Sequence, residues 1–223
     1  MTDTPTHLLI TAGPTHEPID AVRFIGNRSS GRMGVALAAA GADLGFEVRL
    51  LLGPTADPAP LAGVEVLRFR TCEDLRGLLR AHAAWADLIV MAAAVADYRP
   101  RPNPAMSGGK FRRTHEPLTL ELEPTPDLLA EAVRSRRPGQ VFVGFALEPR
   151  ADLMASAESK LARKKVDMVV ANPLETMDSA TVEATLLTAS GAREATPGLM
   201  DKREFAPWVL RRAAALLPVP AAL

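Results

Sequence analysis

The sequence predicts an α/β fold: one three-layer α/β/α domain, residues 1–223, with a mainly parallel central sheet and a C-terminal β-hairpin. Two observations predict it. Short apolar runs recur along the chain, among them Leu8-Leu9-Ile10, Leu50-Leu51-Leu52, Leu88-Ile89-Val90-Met91 and Val141-Phe142-Val143. Runs with no polar interruption read as strands buried on both faces, as parallel strands are. Helical patterns separate these runs, and alternation of strand and helix is the signature of a helix-covered parallel sheet.

The first strand is Leu8 to Ile10. A small-residue turn follows, Thr11-Ala12-Gly13-Pro14-Thr15, where a ligand can approach the main chain closely. About fifteen residues then lead to Ser29-Ser30-Gly31 and an Ala-rich helix from Arg32 to Ala40. Loops that long inside a compact domain usually carry function. This one holds Asn27, Arg28, Ser29, Ser30 and Arg32, two cations among amide and hydroxyl groups. A serine at the helix start is expected to accept a backbone N–H, and the free amides there favour an anion. Neither G-x-G-x-x-G nor G-x-x-x-x-G-K-[ST] is present, so the strand, loop and helix suggest a nucleotide-phosphate site only in general outline.

Phe46 to Leu52 reads as the second strand, closed by Gly53-Pro54, and a loop continues through Pro58 to Pro60. Val64 to Phe69 alternates and reads as a short edge strand. Thr71 is placed to cap a helix over Cys72 to Ala84, with Glu73 and Asp74 suited to its first turn. Asp87 to Ala94 is the next strand. Beyond it, Asp97 stands where open α/β sheets bind ligands and can accept from sugar hydroxyls; it would serve equally to cap a turn. Pro100 to Gly109 reads as a mobile loop, ended by the basic cluster Lys110-Phe111-Arg112-Arg113. Leu118 to Leu122 alternates as a half-exposed strand does. Thr125 is a candidate cap for a helix with Pro126 at its first position.

Gln140 to Glu148 is a further buried strand, with Phe145 either a core aromatic or a flank for a base. Met154 to Lys165 reads as a helix with Lys160 and Lys164 on one face, where two cations suit phosphate or the helix C-terminus. Asp167 to Asn172 is the last parallel-type strand, Thr181 to Thr196 a hairpin, and Asp201 to Leu217 an amphipathic helix with Phe205, Val209, Ala213 and Leu216 on one stripe. Pro218 to Leu223 reads as a frayed tail.

Composition narrows the class. The chain has 223 residues, 48% hydrophobic but only 4% aromatic, so Ala, Leu and Val must fill the core. The formal net charge is zero, which speaks against a broad nucleic-acid surface. Cys72 is the single cysteine, so no intrachain disulfide forms, consistent with a reducing cytoplasm. The N-terminus lacks a signal-peptide pattern, and no apolar run approaches a bilayer span. His7, His16, His82 and His115 are scattered outside any metal-ligand spacing, and read as structural or exposed, His16 least securely because it lies in the first stretch, between Leu8 and Gly34.

Four stretches carry a family resemblance. GPTHEPIDAVRFIGNRSSGRMG, MAAAVADYRP, VGFALE and KLARKKVDMVVAN resemble, in order and nearly end to end, the bacterial phosphopantothenate–cysteine ligases. Gly26 departs from that pattern, which commonly has Ser there, and Lys110 follows ADYR at a longer spacing. The resemblance implies a Rossmann-like (ribokinase-like) domain that joins 4′-phosphopantothenate and L-cysteine with CTP and Mg²⁺, through an acyl-cytidylate. It implies Asn27 and Lys110 as catalytic residues. It implies a nucleotide site of Gly13, Ser29, Ser30, Gly31, Met91, Ala92, Ala93, Asp97, Lys110, Pro126, Asp127, Leu128, Phe145, Lys160 and Lys164. It assigns no metal ligands. A cytoplasmic homodimer is expected, stand-alone, without the flavin-dependent decarboxylase domain often fused to such ligases, and with a separate decarboxylase flavoprotein as a conceivable partner. A nicotinamide oxidoreductase would need a glycine fingerprint and an acid ending the second strand, and Leu52-Gly53-Pro54 supplies neither. The other alternative is a catalytically silent nucleotide-binding or flavoprotein-partner module.

Overall fold

The computed structural model describes residues 5–55, 60–102, 109–110, 112–113, 115–177 and 179–218. Part of the Pro-rich connection (56–59), most of the predicted loop at 100–109 (103–108), Phe111 of the basic cluster and most of the tail (219–223) lie outside them.

In chain order the elements are β1 (His7–Ala12), β2 (His16–Pro18), β3 (Phe24–Gly26), α1 (Arg32–Asp43), β4 (Glu47–Leu52), β5 (Val64–Arg68), α2 (Cys72–His82), β6 (Leu88–Met91), β7 (Tyr98–Pro100), β8 (Leu122–Pro124), α3 (Leu128–Arg134), β9 (Val141–Glu148), α4 (Leu153–Lys164) and β10 (Met168–Pro173). A 3₁₀ turn (Leu174–Thr176) follows, then β11 (Thr181–Val182), β12 (Thr185–Thr188), β13 (Arg193–Ala195), β14 (Met200–Asp201) and α5 (Lys202–Ala214).

The main sheet has eight strands in the order β13-β12-β10-β9-β6-β1-β4-β5. The six from β10 to β5 are parallel; β12 pairs antiparallel with β10, and β13 antiparallel with β12. The chain lays β1, β4 and β5 outward in one direction, then returns to place β6, β9 and β10 on the other side. The reversal falls between β1 and β6, and a doubly wound sheet binds ligands in the crevice there. Alternate residues of each strand feed the two cores. Leu8 and Ile10 pack with Leu37 and Ala38 of α1 and Phe205 and Val209 of α5. Leu9 and Ile89 pack with Leu75 of α2, Leu128 and Val133 of α3 and Leu153 of α4. With so few aromatics, close approach does the packing. A Cβ added to Gly34 of α1 would lie 2.3 Å from Ala12 Cβ, so glycine is what lets α1 press onto β1.

Several boundaries differ from the sequence reading, each for a local reason. The long loop after β1 folds part of itself into a ribbon, β2 paired with β3. His16 stacks on Phe24 there, ring centroids 3.7 Å apart, and lies away from the cleft, as a structural residue does. Burial, then the Arg70 charge, lowers its pKa. The strand expected to reach Ala94 ends at Met91, because the chain beyond pairs with the loop after β1. The half-exposed strand predicted at Leu118–Leu122 forms later, as β8, against β7. The hairpin is β12–β13, while its expected first residues, Thr181 and Val182, pair with β14. Thr71 caps α2 as expected, in a reciprocal box with Asp74.

Candidate functional site

A cleft of about 640 Å³ opens at the carboxyl ends of β1, β6, β9 and β10, over the reversal in strand order. Its walls are residues 26–34 before and within α1, Ala92 to Val95 after β6, Phe145, Leu147 and Glu148 of β9, Lys160 of α4, Asn172 and the turn beyond it, and Lys202 of α5.

The wall at Ala92–Val95 is held by the loop after β1. Ala92 N–H donates to the Thr11 carbonyl (3.1 Å), Ala93 N–H to Thr11 Oγ1 (3.1 Å), and Ala94 N–H to the Gly13 carbonyl (2.9 Å). Ala96 N–H donates to Thr15 Oγ1 at 2.9 Å. Thr11 and Thr15 are fully buried, and these bonds explain why two hydroxyls can be. The Ala94 carbonyl accepts from Thr15 N–H and from Asn27 Nδ2 (2.9 Å), which ties the Asn27 amide across the mouth of the cleft. The ribbon before Asn27 is anchored at its far end. His16 N–H donates to the Arg70 carbonyl, and the buried Glu17 carboxylate accepts from Cys72 N–H at the start of α2 (2.8 Å). Burial, then the nearby Glu17 charge, pushes the Cys72 thiol up to about 11, an inert buried sulfur.

The α1 entry differs from expectation. Gly31 is the N-cap, at φ 72°, and no side chain caps the helix; Ser29 Oγ instead accepts from Gly31 N–H at 3.4 Å. The first amides of α1 therefore carry no capping oxygen and lie on the cleft wall. A Cβ at Gly26 would meet the Thr15 carbonyl at 2.8 Å and His16 at 2.9 Å, so this ribbon is built for glycine there.

The cleft brings together Asn27, Ser29, Ser30, Gly31, Ala92, Ala93, Phe145 and Lys160 from the predicted set. A second group lies behind it. Lys164 pairs with Asp127, and the charge of Asp97 acts on both Lys160 and Lys164. Asp127, not Thr125, caps α3, accepting from Ala130 N–H at 3.0 Å. Pro126 therefore precedes the cap instead of opening the helix, and Thr125 Oγ1 donates to the Ala96 carbonyl. Met91 and Leu128 are core residues, 8% and 4% exposed, and do not line the cleft. Gly13 holds its turn at φ 80° beside Gly31. Lys110 is exposed and lies outside this cleft; its neighbour Gly109 contacts Ala21 beyond β2.

Electrostatically the cleft is basic. Arg28, Arg32, Lys160 and Lys202 line it, with Glu148 as the one acid among its described walls. Burial lowers the Lys160 pKa, partly opposed by Glu148, and its Nζ donates to the Phe145 carbonyl at 2.5 Å. Sequence reasoning held Glu148 only as the last residue of the VGFALE stretch, with no role of its own, and passed over Lys202. Glu148 does end a strand at the sheet's ligand-binding edge, a signal that could have found it; Lys202 lies far from any motif. Among the described residues no three His, Cys, Asp or Glu side chains form a metal-binding group. No helix of the described residues is long and apolar enough to cross a membrane.

Comparison with known proteins adds kinship to this geometry. Residues 4–217 match the family described as the DNA/pantothenate metabolism flavoprotein C-terminal domain. The coenzyme A biosynthesis bifunctional protein CoaBC of Mycobacterium tuberculosis H37Rv is 45% identical over 174 residues, covering 74% of this chain and 41% of that protein. The protein of the same name from Bacillus subtilis is 35% identical over 214 residues, 94% of this chain and 51% of its own. The chain thus spans about half the length of such curated relatives or less. A crystal structure of the C-terminal domain of a CoaBC protein superposes with a TM-score of 0.77 at 34% identity, covering 93% of each chain.

Proposed function

The chain belongs to the DNA/pantothenate metabolism flavoprotein C-terminal domain family, and from that premise we propose that it is a ligase joining 4′-phosphopantothenate to L-cysteine at the expense of CTP. The observation that carries the reading is the cleft itself. Uncapped α1 amides, the Asn27 amide and four cations converge where a doubly wound sheet binds nucleotides. Two anionic substrates must meet there.

The chemistry asked of these residues is electrostatic. The pantothenate carboxylate attacks the α-phosphate, pyrophosphate leaves, and an acyl-cytidylate forms. The amine of cysteine then forms the amide bond and releases CMP. Each step moves negative charge between oxygens, so aimed amides, Lys and Arg matter more than a protein nucleophile. Arg28, Arg32 and Lys160 suit the phosphates. Asn27, fixed through Nδ2 to Ala94, is positioned to hold the acyl-nucleotide during amine attack. Mg²⁺ would supply charge neutralisation. Such an ion is ordinarily held by one or two carboxylates together with the substrate's own phosphate oxygens. Main-chain groups near Ala92–Ala94 are expected to read the cytosine edge, and of these the three amides are engaged with Thr11 and Gly13. The preference for CTP then has to rest on carbonyls or side chains.

We further propose a homodimer. The hairpin edge is already guarded: Arg193 pairs with Glu158, and Glu194 with Arg212. Apolar exposure gathers elsewhere, at Val22 and Phe24 of the first ribbon and Tyr98 and Leu122 of the second, two ribbons that contact one another. A second copy of this chain would cover that surface and reach the Asn27 ribbon.

A pyrophosphate-release assay with substrates omitted singly tests the activity. Release should need CTP and phosphopantothenate, and the amide product should need cysteine as well. No pyrophosphate from the complete mixture refutes the proposal, and faster release with ATP than with CTP refutes the nucleotide assignment.

A further inference from the structure

Glu148 stands out in a cleft built for anions. It is the one carboxylate on walls that carry Arg28, Arg32, Lys160 and Lys202. Such an acid would be expected to pair with one of these cations. It does not: among the described residues Glu148 forms no ion pair, and its side chain accepts one hydrogen bond, from Ser156 Oγ at 3.1 Å. Lys160, one turn beyond Ser156 on α4, donates instead to the Phe145 carbonyl. The carboxylate is therefore aimed and held by a neutral hydroxyl, with lone pairs left for a cationic visitor.

The surroundings narrow that visitor. Glu148 is the last residue of β9 and pairs in register with Pro173. The residues that follow Pro173, namely Leu174, Thr176 and Met177, line the same cleft. Of these side chains, Leu174 and Met177 are apolar, Thr176 brings a hydroxyl, and none adds a second acid. A single carboxylate so placed suits an organic ammonium, which needs no further anionic ligand. Resting on the ligase reading, we propose that Glu148 binds the α-ammonium of the amino-acid substrate, so that the acid repels both anionic substrates from its own corner and keeps it for the amine. Ser156 is the positioning residue behind it.

The test uses two nucleophiles. Cysteine is an ammonium at neutral pH, whereas hydroxylamine is uncharged and traps acyl phosphates as hydroxamates. In Glu148→Gln, loss of a charge-assisted hydrogen bond should raise KM for cysteine about tenfold to a hundredfold. KM for CTP and the rate of hydroxamate formation should stay at wild-type values. Glu148→Asp should recover part of the cysteine affinity. Ser156→Ala, which keeps the acid and frees it to turn, should give a smaller rise in the same KM and serves if Glu148→Gln does not fold. An unchanged cysteine KM with normal hydroxamate overturns the assignment. Equal losses with both nucleophiles make Glu148 a structural group, and a raised Mg²⁺ requirement makes it a metal ligand; either overturns it too. A wild-type protein that forms no hydroxamate overturns the ligase reading itself.

Discussion

Gly34 and Gly77 offer one substitution with two opposite expected outcomes. Both glycines lie inside helices, so alanine brings each about 1 kcal/mol of helix propensity. At Gly77, exposed on α2, an added Cβ meets nothing within 4 Å. At Gly34 it would stand 2.3 Å from Ala12 Cβ and 3.1 Å from Ala12 Cα, where ordinary contact begins at 3.4 Å. Backbone and a buried methyl cannot turn aside, so α1 must retreat from β1 by about 1 Å, an overpacking cost of roughly 1–3 kcal/mol. Gly77→Ala should therefore gain about 1 kcal/mol, a rise of roughly 2–4 °C in Tm for a chain of this size. Gly34→Ala should come out neutral to about 2 kcal/mol destabilised after the propensity gain. The kinetic contrast should be larger. The retreating helix carries Ser30 to Gly34 out of the cleft wall, and a displacement near 1 Å can cost about a hundredfold in rate. Calorimetry and the pyrophosphate assay read both effects. A Gly34→Ala protein as stable as Gly77→Ala, with undiminished kcat/KM, would refute the argument that this contact sets the helix position.

Asn27→Asp should fold and bind CTP but place an anion beside phosphate; quenched reactions analysed by mass spectrometry should show acyl-cytidylate accumulating, and product at the wild-type rate would remove Asn27 from the reaction. Lys110→Gln should lose about tenfold to a hundredfold in kcat/KM if its ammonium reaches a nucleotide; since Lys110 lies outside the cleft of its own chain, unchanged kinetics would mark it as a surface charge. Light scattering should report a dimer, and Phe24→Asp with Tyr98→Asp should convert it to a monomer of low activity; a fully active monomeric wild type ends that proposal. Asp87 is the acid-limb test. Burial works to raise its pKa but is outweighed by the His7 amide and Arg137, so the folded value is depressed. Its contribution is then complete above the unfolded value near 3.9 and fades as pH falls through that value toward the folded one. Asp87→Asn should lower Tm at pH 7 and flatten its fall below about pH 4; parallel curves for the two proteins would contradict this.

Most of the fold was legible because its evidence is local. Uninterrupted apolar runs mark strands buried on both faces, and the Thr71–Asp74 box marks the start of α2 within four residues. Where the reading slipped, long-range partners decide the outcome. Nothing near Leu122 announces that it pairs with Pro100, and nothing near Thr125 shows that its hydroxyl is drawn to the Ala96 carbonyl, leaving the cap to Asp127. The site divides along the same line. Asn27, Ser29, Ser30, Gly31 and Lys160 stand in dense, unusual stretches and meet in one cleft. Glu148 closes the VGFALE stretch and Lys202 opens an ordinary amphipathic helix, and neither has a role before the cleft joins them to the rest.

The residues that look most ordinary in the first stretch turn out to set its geometry. At a reversal of strand order the chains leaving the two adjacent strands turn to opposite faces of the sheet, and main-chain groups exposed in the crevice between them must be satisfied. Here the chain closes the gap with its own backbone. Residues 13–15 pair with residues 92–96, and the hydroxyls of Thr11 and Thr15 take the amides the ladder leaves over. The Ala94 carbonyl is thereby fixed, and Asn27 is fixed to it. At the other end, Glu17 spends a buried carboxylate on the first turn of α2, so the ribbon that delivers Asn27 is held at both ends by segments distant in sequence. An amide that must meet a transient acyl-nucleotide gains from such bracing, because disorder in it would enter the barrier directly. The small residues after β1 thus let a ligand approach and, equally, let two loops lie close enough to fix each other.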